Sequence, residues 1–299
     1  MLIEHVPVLL KEILEFLQGQ PSVKRVLDCT LGLGGYAEAV LSYLPGAEVV
    51  GVDHDEQALA IARERLLPFE DRVSIVKANF RCLGNQVEVR APFDAVLFDL
   101  GVSNLQLVDK DRGFSFQEDG PLDMRMDTSS PFSAADIVNK YPEADLVLLF
   151  KRYGEERFSR QIAAKIVRFR EQSGPILQTS TLVGIIRSSM PAAVQRKGRG
   201  HPARRVFQAL RIAVNEELLA LQDGLAATPA LVANNSLVVV VSYHSLEDRI
   251  VKTCFKGWNE QGRGVILTKR PITPSSQEID ANRKSRSAKM RVFRFTGAA

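Results

Sequence analysis

Short apolar runs and helically spaced apolar residues alternate through the first hundred positions. KRVLDCT (24–30) reads as a short buried strand, followed by Gly32, Gly34 and Gly35 and then a helix from about Ala37 to Tyr43. EVVGVD (48–53) is a second strand, with the helical DEQALAIARERL (55–66) behind it. RVSIVKANF (72–80) supplies a third strand with its exit loop, and FDAVLFDLG (93–101) a fourth. Strands alternating with helical stretches of roughly 10–15 residues predict βαβ units and a parallel sheet. From about Lys110 to Gly224 the rhythm changes: helical patterns occur at 133–139, 142–153, 155–172, 181–190 and 203–223, with no strand between them. The sheet resumes with SLVVVVSYH (236–244), a helix EDRIVKTCF (247–255) and a last strand MRVFRF (290–295). The expected fold is therefore α/β, a Rossmann-like sheet carrying an inserted all-helical domain. Residues 1–109 with 225–299 would form the sheet domain, and 110–224 the insertion. The segment 259–289, with Gly262, Gly264, Pro271 and Pro274, reads as loop.

Composition narrows the class. With 299 residues, 45% hydrophobic and 25% charged, the chain has material for a sizeable globular core. No apolar stretch approaches the ~18–20 residues of a membrane span. Glu4, Glu12 and Glu15 interrupt the apolar N-terminus, which has no basic lead or small-residue cleavage site, so no secretory signal is expected there. Cys29, Cys82 and Cys254 are far apart and the four histidines are dispersed. That spacing argues for a cytoplasmic protein with no metal site. The net charge of +4 is unevenly spread. Arg187, Arg196, Lys197, Arg199, Arg204, Arg205 and Arg211 form a run without an acid, and Lys269, Arg270, Arg283, Lys284, Arg286, Lys289, Arg291 and Arg294 crowd the C-terminal part. Such clusters suit a polyanion, although solvated surface accounts for them equally well.

The chemistry concentrates in DCTLGLGGYAEA (28–39). Glycines at a strand-to-helix turn let a ligand approach the backbone. Asp53, closing the second strand, is placed to accept both ribose hydroxyls of an adenosine. Gly32-x-Gly34-x-x-Ala37 also satisfies the dinucleotide fingerprint with its acid about 20 residues on. Spacing therefore leaves two ligands open, a nicotinamide dinucleotide and a methyl donor. Asp28 favours the second, since an acid there suits a methionine ammonium and would repel a pyrophosphate. Asp99, ending the fourth strand, adds a carboxylate to the same crevice.

DCTLGLGGYAEAVL, LFDLGVSNLQLVDKDRGFSFQEDGPLDMRMD, YGEERFSRQIAAKI, HPARRVFQALRIAVNEEL, VSYHSLEDRIVK and RSAKMRV resemble successive blocks of the bacterial RsmH (MraW) family. The resemblance runs from His5 nearly to the C-terminus. It implies a class I methyltransferase sheet, S-adenosyl-L-methionine as cofactor, and N4-methylation of a cytosine in the decoding region of 16S rRNA (position 1402). The partner implied is 16S rRNA within the small ribosomal subunit. Carried over residue by residue, the cofactor contacts fall on Gly34, Gly35, Tyr36, Asp53, Phe80, Asp99 and Gln106. Tyr36 stands where the family usually has His, so that contact is expected to be through the backbone. VSNLQ (102–106) has Asn104 in place of a Ser, and NRKSRSA lacks the family's usual proline.

An exocyclic amine is a weak nucleophile, and methyl transfer to it requires acceptors that hold its protons while the nitrogen lines up with the methyl. N-methyltransferases place such groups just after the fourth strand. The candidates here are Asp99, Ser103 and Asn104, against plainer readings of Asp99 as a cofactor-orienting acid and of the other two as turn formers. His244 is left open between a crevice residue and part of a helix start capped by Ser245 with Asp248 three residues on. His5 either lies over the cofactor pocket or, more ordinarily, belongs to a packed N-terminal segment. Phe114 and Phe116 either stack on a base or, more ordinarily, pack a loop. Arg112 and Arg125 are phosphate binders or members of surface ion pairs. A loop around KGRGHP (197–202) and the tail from Arg283 to Arg294 are expected to follow RNA phosphates. Two other classes stay in view: an NAD-dependent oxidoreductase, which the glycine fingerprint alone supports, and a non-catalytic ribosome-assembly factor.

Overall fold

The computed structural model describes residues 7–20, 23–86, 89–191 and 201–297, with Asn104 described by its backbone alone. The chain divides into two compact units, residues 1–101 with 218–299, and residues 102–217. The junctions fall eight and seven residues before those expected from the pattern.

The first unit is built on a sheet of seven strands in the order β3-β2-β1-β4-β5-β7-β6. These are β1 (Arg25–Asp28), β2 (Glu48–Asp53), β3 (Val73–Lys77), β4 (Phe93–Asp99), β5 (Val232–Ser242), β6 (Gly264–Ile266) and β7 (Lys289–Phe295). The first five run parallel, and β7 lies antiparallel between β5 and β6. Dinucleotide-binding sheets share the order 3-2-1-4-5 but continue with a sixth strand directly beside the fifth. Here the reversed β7 stands between β5 and β6 instead.

The near-continuous apolar strands follow from burial on both faces. Alternate residues supply two cores. Ala95, Leu97, Val239 and Val241 pack on one side with Val40 of α2 (Gly35–Tyr43) and Leu59 of α3 (Glu56–Leu66). Val96, Phe98, Val238 and Val240 pack on the other with Leu221 of α10 (Glu217–Ala227) and with Val251, Phe255 and Trp258 of α11 (Ser245–Glu260). Three elements of this unit escaped the sequence reading. The amphipathic α1 (Leu10–Gln18) buries Ile13 and Leu17 in the first core. The 259–289 segment, expected as loop, holds β6 and the short α12 (Ser276–Ala281). The third strand ends at Lys77, with a 3₁₀ turn over Phe80–Asn85 after it.

The second unit is helical, with no strand among its described residues. It contains α4 (Asn104–Val108), α5 (Ala134–Lys140), α6 (Glu143–Gly154), α7 (Ser159–Ser173), α8 (Thr179–Ser188) and α9 (Arg204–Val214). Ile137, Phe150, Ile162, Ile186, Phe207 and Leu210 meet in its core. A Cβ on Gly154 would stand 2.5 Å from the Arg205 carbonyl oxygen, so only glycine permits this approach of α6 to α9.

The single helix expected over 203–223 is two helices. Glu216 takes φ +48°, and Asn215 holds the break: its amide nitrogen donates to the carbonyls of Met124 and Arg211, and its Oδ1 accepts from Met126 N–H. A long-range set of bonds ends a helix that local propensity would continue. The helix expected from 155 begins at Ser159 because Glu155, at φ +48°, closes α6.

Candidate active site

The carboxyl ends of β1, β2 and β4 bring Asp28, Asp53 and Asp99 of the first unit to one edge of the sheet. Between β1 and α2 the chain turns through Gly32 (φ +51°) and Gly34 (φ +79°), left-handed conformations that side chains resist. The turn is fixed from both sides. Leu31 N–H donates to the Val52 carbonyl at 2.9 Å, Gly34 N–H to the Leu31 carbonyl at 2.8 Å, and Gly32 N–H to Asp53 Oδ2 at 2.8 Å. On Gly32 a Cβ would meet only the Thr30 carbonyl oxygen, at 3.8 Å, so that side of the turn is open to a ligand.

The three carboxyls differ in what holds them. Asp28 is 1% exposed; its Oδ1 accepts from Thr30 N–H, while Oδ2 is buried without a hydrogen-bond partner among the described residues. Burial, reinforced by the nearby Asp53, pushes Asp28 up to about 7. Asp53 is also pushed upward by burial, opposed by His54 and by the N–H groups of Asp55 and Gly32. Burial pushes Asp99 up to about 7, against a hydrogen bond from the Tyr243 hydroxyl and with Asp28 and Glu247 adding to the rise. Tyr243 Oη donates to Asp99 Oδ1 at 2.8 Å, and Asp99 N–H donates to Thr30 Oγ1 at 2.7 Å.

The flanking residues expected from the sequence fall as follows. Tyr36, in the first turn of α2, is buried and its hydroxyl donates to the Val8 carbonyl at 2.5 Å. Gly35 lies against Pro7, where a Cβ would come within 2.9 Å of the proline ring. Phe80 opens the turn after β3, its ring edge-on to Phe98 at 5.8 Å. Ser103, Asn104 and Gln106 belong to the second unit. Ser103 Oγ accepts from Gln106 N–H and Gln106 Oε1 accepts from Ser103 N–H, a capping box that starts α4. Asn104 is the first residue of that helix, and its side chain lies outside what is described.

Several other expectations resolve into structural roles. The cap of α11 is His244, not Ser245: its Nδ1 accepts from Glu247 N–H, and Glu247 accepts from the N–H groups of Tyr243 and His244. The helix begins one residue earlier than expected because β5 runs through Ser242. Phe114 is buried in the helical core, and Phe116 stacks on His201 with centroids 4.7 Å apart. Buried Arg112 donates to the carbonyls of Arg125 and Met126, while Arg125 pairs with Asp123 and binds the carbonyls of Thr128 and Ser130. Both arginines hold their own loop. Arg211 pairs with Glu217 at 2.8 Å, and Arg291 and Lys289 pair with Asp248. Exposed Arg283, Lys284 and Arg286 remain on the tail. His5, Arg196, Lys197 and Arg199 lie outside the described residues.

Sequence reasoning missed Tyr243 and Thr30, the two side chains that hold Asp99. A hydroxylated aromatic directly after the apolar run SLVVVVS was the available signal, but its partner could not be read from the sequence.

The model of the MraW methylase family matches residues 2–296. The chain is 44% identical to the ribosomal RNA small subunit methyltransferase H of Heliobacterium mobile, over 96% of this chain and 97% of that one. It is 45% identical to the protein of the same name from a Sulfurihydrogenibium species, over 98% and 99%. Among solved structures it is similar to an rRNA methylase from Streptococcus thermophilus, with a TM-score of 0.44 at 10% identity over 99% of this chain and 100% of that one.

Proposed function

The chain belongs to the MraW methylase family, and we propose that it methylates the N4 amine of a cytosine in the decoding region of 16S rRNA, cytosine 1402, with S-adenosyl-L-methionine as donor. The observation that carries the cofactor is the buried Oδ2 of Asp28 beside the glycine turn, which has no partner among the described residues. An orphaned carboxylate oxygen is costly unless a cation or donor completes it. An amino-acid ammonium fits that requirement, and a pyrophosphate in its place would be repelled.

When bound, the cofactor supplies a methyl group on a sulfonium, already activated for displacement. The chain's part is placement. Asp53 would accept the ribose hydroxyls, Gly32 and Gly34 would keep Cβ atoms off the ligand, and Phe80 would flank the adenosine from the exit of β3. Asp99 accepts a proton of the cytosine amine and draws its lone pair toward the methyl. Methyl transfer would leave the broken bond's electron pair on the donor, and the proton the amine must lose would be taken by Asp99. Positioning of this kind can supply roughly 7–11 kcal/mol of the barrier. Ser103 and Asn104 follow in the chain as further acceptor candidates, the Ser103 hydroxyl also accepting the Gln106 N–H in its cap.

No covalent enzyme–pyrimidine adduct is needed. Burial, with Asp28 nearby, pushes the Cys29 thiol well up, and burial pushes Cys254 up to about 12, so neither is a ready nucleophile. The substrate is taken to be rRNA within the small subunit, in the cytoplasm. Transfer of labelled methyl to small subunits lacking the mark, followed by nucleoside analysis, tests the reading. N4-methylcytidine is expected; 5-methylcytidine, or a trapped thiol adduct, overturns it.

A further inference from the structure

Tyr243 follows β5 directly, and the sheet decides what it reaches. Asp99 of β4 lies opposite Val241 of β5, so the residue two places beyond Val241 overhangs the end of β4. Its phenol donates to Asp99 Oδ1 at 2.8 Å, and its N–H donates to Glu247 Oε2 at 2.8 Å. Gly101, at φ +100°, turns the chain past the Tyr243 ring; a Cβ there would sit 3.4 Å from the ring. Thr30 Oγ1 accepts from Asp99 N–H. Both partners of the Tyr243–Asp99 bond are thus held independently of it.

The groups around Asp99 pull in opposite directions. Burial, Asp28 at the end of β1 and Glu247 of α11 oppose its ionisation, while the hydroxyl of Tyr243 favours it; that of Tyr36 is committed to the Val8 carbonyl. Tyr243 itself faces Asp99, Glu247 and Glu278 of α12, and with burial they push its phenol well above the ordinary value. It therefore stays a neutral donor. Neutrality matters here: a Lys or Arg would hold Asp99 ionised as well, but would repel a cationic sulfonium.

We propose that Tyr243 is a positioning residue for methyl transfer, its hydroxyl orienting the Asp99 carboxylate and keeping it in the form that can accept an amine proton. This rests on the reading of Asp99 as the group that meets the acceptor amine. Without the phenol, a buried carboxyl between Asp28 and Glu247 keeps its proton to higher pH, and a protonated Asp99 offers a hydrogen where the amine needs an acceptor.

Tyr243→Phe removes the hydroxyl and keeps the ring beside Gly101. With small subunits lacking the mark as substrate, kcat is measured against pH. The acid limb is expected to move up by about one pH unit, a tenfold loss on the low-pH side. The rate recovers toward wild type at alkaline pH, and the KM for the cofactor is unchanged. With 3-fluorotyrosine at position 243, a stronger donor, the limb moves the other way. A role in packing alone lowers kcat by one factor at every pH or lowers the thermal midpoint, and an unmoved limb overturns the proposal. Asp99→Asn tests the reading beneath it and is expected to be inactive throughout. If that variant keeps the wild-type rate, the role of Asp99 falls and that of Tyr243 with it. An inactive Asp99→Asn beside an unmoved limb in Tyr243→Phe removes only the role of Tyr243.

Discussion

Asp53 Oδ2 accepts the Gly32 N–H at 2.8 Å, joining the end of β2 to the glycine turn that leads into α2. One carboxylate therefore shapes the turn and, on the proposed function, would also face the ligand. Asp53→Ala is expected to weaken S-adenosylmethionine binding by about 1.5–3 kcal/mol, the scale of hydrogen bonds to a charged group. Calorimetry measures this, with circular dichroism to check the fold. Unchanged affinity in a folded variant would sink the assignment.

Asp28 ties binding to pH. Its carboxyl sits at about 7 in the ligand-free protein, raised by burial, and a cationic ligand requires it ionised. Cofactor affinity should fall as pH drops below about 7, by at most tenfold per unit for one linked proton. For stability the sign is opposite. A carboxyl whose folded pKa is raised stabilises below its unfolded value of about 4 and loses that contribution as pH rises toward 7. Asp28→Asn should flatten both dependences, read from calorimetry and from thermal midpoints between pH 4 and 8. A wild-type pH profile of affinity in that variant would remove Asp28 from the cofactor site.

The tail cations should separate into two kinds. Arg291, 7% exposed, donates to Asp248 Oδ1 at 2.7 Å, and Lys289 joins the pair. Asp248→Ala leaves a buried cation without its partner and should cost about 3–5 kcal/mol of stability. Asp248 is held below the usual range because its bonds to Arg291 and Lys289 outweigh burial. Its contribution is therefore present above about pH 4 and lost as pH falls through the depressed value. Denaturant titration at pH 7 and pH 3 shows whether the difference between variant and wild type closes in acid.

Exposed Arg283 and Arg286 are the contrasting kind. Neutralising both should leave stability within about 0.5 kcal/mol. It should also lower the log–log salt slope of RNA binding by about 0.7 for each single-strand phosphate that one of these arginines neutralises. A wild-type slope would mark this segment as solvated surface.

Local pattern along the chain laid down the alternating strands and helices, the helical insertion, the glycine turn and the three acids that end β1, β2 and β4. Each has a short-range cause: apolar period, left-handed glycine positions, and a carboxylate where a buried run stops. The family blocks then identified the chemistry. The remainder comes from tertiary structure. The strand reversal that separates this sheet from a dinucleotide fold depends on β7 pairing with β5 and β6, which no local pattern announces. Ser103 and Gln106, expected as site residues, also cap α4, and Arg112 and Arg125 hold their own loop, because buried backbone groups must find partners wherever the chain supplies them. Tyr243 and Asp99 lie 144 positions apart, and only the register of two parallel strands brings phenol and carboxylate to 2.8 Å.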